Sequence, residues 1–335
     1  MRRGLLLINL GTPKAPTAAG LRPYLRRFLD DPRLIDLPTP LRKLLVHAII
    51  VPFRAPKSAA KYAEIWTNEG SPLDVHTRAL TDALQRRLGE AFDVRYAYAV
   101  SDPGIAETIE AMLDAGLERI HVLPLYPQTA AATTGSALEQ LYRALGEQWK
   151  VPAVEVLRPF YADEAWARAM ARHSAPQLEG ARHVLFSFHG LPESHVQKAR
   201  GGANCQADGK PCCAGTGAMS SGCYRAQCAI SARRIAEALG LAEGSWTVSF
   251  QSRLGRQRWL EPSTDSVLEA LGRDACEDLA VLCPSFIADC LETLEEIAGE
   301  GAETFREAGG GRFRYVTCLN ASDGLVEAIA GWVSA

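Results

Sequence analysis

Five of the 9 cysteines fall between residues 205 and 228, in the stretch CQADGKPCCAGTGAMSSGCYRAQC. Thiols gathered this closely serve as disulfides, as metal ligands or as a spare loop, and the compartment narrows the choice. The apolar run from Leu5 to Leu10 is too short for a secretory core and no small-residue cleavage site follows it. The expected location is therefore cytoplasmic, where reduction disfavours stable disulfides. Four thiolates drawn from Cys205, Cys212, Cys213, Cys223 and Cys228 suit either zinc or an iron-sulfur cluster, and no C-x-x-C knuckle decides between them. Adjacent side chains diverge, which argues against Cys212 and Cys213 as joint ligands.

A second chemistry is written into HVLFSFHGLP. His189 leaves a buried apolar run just before a Gly-Leu-Pro turn, where an imidazole can accept a proton near neutral pH or bind a transition metal. The plain alternative is a turn histidine bonded to backbone. In CPSFIADCLETLEEIAGE, helical spacing puts Asp289, Glu292 and Glu296 within about 60° of one another, with Cys290, Leu291, Leu294, Ile297 and Ala298 opposite. Such a face is either a solvated helix start favoured by the dipole or a set of proton acceptors and cation ligands. A third group, in FRAPKSAAKYAEIWTNEGSPL, mixes Arg54, Lys57 and Ser71 with Tyr62 and Trp66, the donors and rings that suit a flat aromatic anion. The apolar residues of segment 41 to 53 read as a core helix rather than an exposed lip.

These residues need a scaffold. Short Leu-rich or β-branched runs at 4 to 10, 93 to 100, 119 to 125, 153 to 157, 183 to 188, 246 to 250, 278 to 283 and 313 to 318 alternate with helical patterns. That alternation predicts an α/β fold of two doubly wound domains, each with a four-stranded parallel sheet. The expected boundaries are 1–158, 159–320 with a cysteine-rich insertion near 200–222, and a terminal helix in 321–335 packing back on the first domain. Ser71-Pro72 and Asp102-Pro103 each look like an N-cap followed by proline at the first helical position. In such sheets ligands bind beyond the carboxyl ends of the strands, where His189 stands.

Composition limits the partners. A formal net charge of -3 and no basic cluster mixed with aromatics exclude nucleic acid. No run approaches the ~20 apolar residues of a spanning helix, so membrane contact is peripheral at most. Neither G-x-G-x-x-G after a strand nor G-x-x-x-x-G-K-[ST] occurs, which removes nucleotide chemistry.

Taken together, LLLINLGTPKAPT, IWTNEGSPL, LPLYPQTAAATTGS, SFHGLP, FQSRLGRQRWLEPSTD and CPSFIADCLETLEEI, in this order, resemble the ferrochelatase family over nearly the whole chain. The resemblance implies insertion of Fe(II) into protoporphyrin IX to form protohaem, the porphyrin lying in the cleft between the two domains. It implies His189 as base or iron ligand, Glu292 as the facing carboxylate, and Asp289 and Phe286 from the same motif. Arg54, Lys57 and Ser71 would bind propionates, while Leu10, Tyr62 and Trp259 would contact the macrocycle. The related activities are insertion into coproporphyrin III or insertion of cobalt. A non-catalytic haem or iron sensor is the reading from another class.

The sequence departs from many relatives in three places. Cys290 stands where many have His, Ala99-Val100 where many have Arg-Tyr, and residues near 200 to 222 look inserted. The animal arrangement of a [2Fe-2S] cluster needs a cysteine where this chain has Ala131 and three more in a C-terminal tail, so that arrangement is not expected here. The chain resembles instead the bacterial class whose [2Fe-2S] cluster sits in an internal segment, with zinc as the alternative occupant. The expected partners are porphyrin and ferrous iron, and the expected state is a monomer or a homodimer.

Overall fold

A computed structural model describes residues 2–199, 222–253, 255 and 257–334. Cys205, Cys212 and Cys213 lie outside the described residues. The chain divides into two compact units, one of Met1–Leu125, Ala130–Arg158 and Ile329–Ala335, the other of Tyr126–Thr129 and Pro159–Ala328.

The first unit is built on β1 (Arg3–Asn9), β2 (Phe92–Tyr98), β3 (Arg119–Pro124) and β4 (Ala153–Val156), all parallel, in the order β2-β1-β3-β4. Leu5, Leu6, Leu7 and Ile8 are fully buried, as a central parallel strand covered by helices on both faces requires. The second unit repeats this topology with β5 (His183–His189), β6 (Trp246–Gln251), β7 (Asp278–Leu282) and β8 (Arg312–Tyr315), in the order β6-β5-β7-β8. One face of its sheet packs through Leu185, Leu279, Val281 and Cys283 onto Leu268, Ile297 and Phe305. All eight expected strands are present, and both halves are α/β.

One helix start falls where expected and the other does not. Ser71 does precede the helix Pro72–Leu88, but its side chain makes no cap; it accepts instead from the Thr12 hydroxyl at 2.7 Å. After Asp102 the next helix begins only at Ile105, with Gly104 before it, and Asp102 pairs with Lys14 at 3.0 Å and Arg27 at 2.9 Å. Asp102 thus lies two residues before the cap position, and the two cations hold its pKa below the ordinary range.

The segment 41 to 53 is also corrected. Val46 and Val51 are buried, yet Leu41, Leu44, Ile49 and Phe53 are exposed, Phe53 by 73%. A π-helical stretch, Leu45–Ile50, runs directly into the helix Val51–Ile65. No helix among the described residues is long and apolar enough to cross a membrane.

Candidate active site

The second unit gathers its chemistry at the carboxyl end of β5. Phe188 is buried and His189, one residue on, is half-buried at the strand's last position. His189 Nδ1 lies 2.7 Å from the Gly190 carbonyl oxygen. That oxygen can only accept, so Nδ1 carries the proton, and in the neutral ring Nε2 keeps its lone pair for a proton or a metal. Gly190 is required by close approach: a Cβ there would lie 2.8 Å from the Gln251 carbonyl oxygen and 3.1 Å from that of Ser252.

Around the imidazole the backbone is tied on every side. His189 N–H donates to Ser285 Oγ at 3.3 Å, and the His189 carbonyl accepts from the Tyr224 hydroxyl at 2.8 Å. Burial pushes the Tyr224 phenol well above its usual range, so it remains a donor. Phe286 stands edge-on to the imidazole with centroids 6.2 Å apart. Trp259 pairs with Pro192 across an antiparallel bridge, and its ring lies over Gly190.

The carboxylates divide their work. Glu292 is half-buried and opens the π-helical stretch Glu292–Gly301, a widened i→i+5 turn of the kind found at functional sites. Gln251, opposite His189 in the β5–β6 register, donates its side-chain amide to the Glu292 carbonyl at 2.8 Å, which links the two elements that carry His189 and Glu292. Asp289 corrects the helical-face reading, because it lies in the loop before the helix and is only 5% exposed. Its carboxylate accepts from the Tyr315 hydroxyl, from Cys318 N–H at 3.1 Å and from Asn320 Nδ2 at 2.7 Å. Three donors hold it, so it anchors the loop to the end of β8 and the segment that follows. Glu296 accepts from the Ser252 hydroxyl.

The thiols of this region are structural. Burial pushes Cys283, Cys290 and Cys318 well up, so all three are neutral and poor ligands as they stand. No group of three or more His, Cys, Asp or Glu side chains among the described residues is arranged to hold a metal ion. Of the candidate cluster ligands, Cys223 is buried just before the helix Tyr224–Leu239, whereas Cys228 is fully enclosed within that helix, its thiol raised by burial and bonded to Tyr224.

The remaining candidates lie in the first unit. Leu10 is half-buried just past β1, with its N–H on Asn9 Oδ1 at 2.8 Å. Arg54 and Lys57 are exposed three residues apart on the helix Val51–Ile65, hence on one face, and no ion pair ties either among the described residues. Tyr62 is 6% exposed, set edge-on against Tyr24 and Trp66. Ser71 is 3% exposed and engaged with Thr12.

The ferrochelatase family model matches residues 2–335. The chain belongs to the ferrochelatase family. It is 43% identical to a ferrochelatase of Azoarcus sp. (strain BH72), over 98% of this chain and 86% of that one. It is 41% identical to the ferrochelatase of Bdellovibrio bacteriovorus, over 99% and 98%, and 42% identical to that of Pseudomonas putida, over 94% of each. In fold it is similar to SirB from Bacillus subtilis solved with Fe3+, with a TM-score of 0.57, 11% identity and coverage of 100% of this chain and 95% of that one. A second SirB structure, a sirohydrochlorin chelatase in complex with cobalt, matches with a TM-score of 0.54. Two four-stranded parallel sheets flanked by helices are thus a chelatase-type fold.

Sequence reasoning passed over four residues of this ferrochelatase-family site: Gln251, Tyr224, Ser285 and Ser187. Each sat inside a quoted motif or beside the cysteine segment. The available signal was position, since Gln251 closes β6 as His189 closes β5, and Ser285 follows the end of β7.

Proposed function

We propose that the chain inserts Fe(II) into protoporphyrin IX, releasing two protons and forming protohaem. Free-base porphyrin carries two pyrrole N–H protons, both of which must leave as the metal enters. The observation that carries the reading is the 2.7 Å contact between His189 Nδ1 and the Gly190 carbonyl oxygen: it commits Nδ1–H, so Nε2 of the neutral ring offers its lone pair at the strand end. His189 takes a pyrrole proton there, or passes iron toward the ring, and Glu292 serves as the opposing carboxylate. Phe286 and Trp259 supply apolar walls beside His189 and Gly190, and Leu10 and Tyr62 are proposed macrocycle contacts. Arg54 and Lys57 are exposed cations with no ion pair among the described residues, suited to the two propionates, and Ser71 is the third proposed propionate contact. Contacts remote from the reacting nitrogens can drive the ring distortion that metalation needs. Asp289 acts through the loop it holds rather than as an acid or base.

The [2Fe-2S] cluster, in this reading, is held by Cys205, Cys212, Cys213 and Cys223, the enclosure of Cys228 outweighing the divergence of adjacent side chains that argues against Cys212 and Cys213 together. Cys223 precedes its helix and suits a ligand; Cys228, enclosed and neutral, is the spare. When bound, the cluster supplies a cross-link for a segment with few apolar residues to pack itself. The chain acts in the cytoplasm, and its exposed Leu41, Leu44, Ile49 and Phe53 make peripheral contact with a membrane surface.

The test is anaerobic conversion of free-porphyrin absorption to haem absorption by wild type and His189→Ala. Loss of about 100-fold or more in rate is expected for the variant. An unchanged rate would remove His189 from the chemistry. If wild type failed on protoporphyrin with iron, conversion of coproporphyrin III or use of cobalt would reassign the substrate, and no conversion at all would favour the sensor.

A further inference from the structure

Beneath His189 the sheet interior is polar. Ser187 and His189 are two residues apart on β5 and so share a face, and the register sets Ser249 beside Ser187 and Gln251 beside His189 on β6. Ser187 and Ser249 are fully buried, Thr264 is 1% exposed and Gln251 3%. Thr264, the first residue of the helix Thr264–Arg273, joins the two serines, its hydroxyl 2.8 Å from Ser187 Oγ and 2.9 Å from Ser249 Oγ. Ser187 donates onward to Gln251 Oε1 at 2.9 Å, and the Cys283 thiol approaches the same oxygen at 3.5 Å.

This chain of bonds sets the orientation of the Gln251 amide. With its oxygen held from two sides, the NH2 group points to the Glu292 carbonyl at 2.8 Å, the first residue of the π-helical stretch. Meanwhile the Gln251 backbone carbonyl accepts Gly190 N–H at 2.7 Å. The next residue, Ser252, adopts a left-handed backbone with φ 62 and donates to Glu296, one turn along from Glu292. Apolar residues would fill a sheet interior at less cost in desolvation, whereas a fully satisfied buried network gives rigidity and a single arrangement.

We infer that Gln251 is the positioning residue of the site, its backbone fixing Gly190 beside His189 and its amide fixing the turn that carries Glu292. The inference rests on the roles proposed above for those two side chains. A misplacement near 1 Å at a reacting group can cost about 100-fold in rate, which sets the scale for losing such a brace.

The experiment measures kcat, the porphyrin KM and thermal midpoint for the full chain carrying Gln251→Met, Gln251→Glu or Ser187→Ala. Methionine keeps the length without donor or acceptor, glutamate keeps the acceptor for Ser187 but loses the donor to Glu292, and alanine removes one of the groups orienting the amide. For both Gln251 variants kcat should fall about tenfold to 100-fold with KM within about twofold, and for Ser187→Ala by about threefold. Gln251→Met should add little further loss on a Glu292→Gln background, because the two act as one unit. Wild-type kcat per folded molecule in the Gln251 variants, with only the midpoint lowered, would overturn the inference. If Gln251→Met fails to fold, unchanged kcat in both Gln251→Glu and Ser187→Ala would do the same. His189→Ala and Glu292→Gln run in parallel: if they retain activity the underlying roles fail, and if they lose it while Gln251 variants do not, the positioning role alone fails.

Discussion

Nε2 of His189 keeps its lone pair because Nδ1–H donates to the Gly190 carbonyl, and the close approach of the Gln251 and Ser252 carbonyls is what requires glycine there. Gly190→Ala would place a methyl group 2.8 Å from the Gln251 carbonyl oxygen. The expected outcome is a shifted β5–β6 end, seen as a lowered thermal midpoint together with a kcat reduced about tenfold or more in the haem-forming assay. Asp289 behaves differently. Removing its carboxylate leaves the Tyr315 hydroxyl, Cys318 N–H and Asn320 amide without their acceptor in a buried setting. Asp289→Ala should therefore lose about 3 kcal/mol or more of unfolding free energy in a denaturant titration, on the scale of bonds to a charged group. A stability equal to wild type would remove its anchoring role. That role was invisible in the local spacing, since its partners come from residues 315 to 320.

At the scale of elements, the carboxyl ends of β5 and β6 and the π-helical turn form one assembly, while β2 illustrates how a strand is held at its edge. Asp93 is buried and bonded to Arg95 Nε at 2.9 Å, and that hydrogen bond is the main reason its carboxyl sits below the usual range. A carboxyl depressed in the folded state stabilises the fold fully above its unfolded pKa, near 3.9, and the contribution fades as pH falls through the lower folded value. Asp93→Asn should accordingly lower stability at pH 7, and the gap to wild type should shrink on acidification below about pH 4, read by urea midpoints along a pH series. The segment 41 to 53 shows the opposite case, an apolar surface that no part of its own unit covers. Replacing Leu41, Leu44, Ile49 and Phe53 with serine should leave the thermal midpoint almost unchanged, because exposed side chains contribute little to the fold. It should weaken co-sedimentation with phospholipid vesicles; undiminished binding would place the membrane contact elsewhere.

For the molecule as a whole, the two units repeat one strand order, yet only the second carries the imidazole and the acidic turn, and only it carries the cysteine segment. Cys223→Ser should abolish the visible cluster absorption of anaerobically purified protein, whereas Cys228→Ser should keep it with a lowered midpoint from the disturbed helix packing. Loss of absorption in Cys228→Ser would reverse that assignment. The eight strands, both sheets and the family were legible in the residues themselves. Alternation of β-branched runs with helical periods is local information, and motifs such as SFHGLP occur in a fixed order along the chain. Ser71 does stand at its helix's cap position, but the cap bonds expected of Ser71 and Asp102 do not form: Ser71 bonds the distant Thr12, and Asp102, two residues short of its cap position, pairs with Lys14 and Arg27. Amphipathic spacing in 41 to 53 marked an apolar face, but only tertiary packing decides whether anything covers it. The same holds for Gln251: a glutamine at a strand end is an ordinary residue until folding brings Ser187, Gly190 and Glu292 within hydrogen-bonding distance of its atoms, because bonds between residues tens of positions apart leave no periodic trace in the chain.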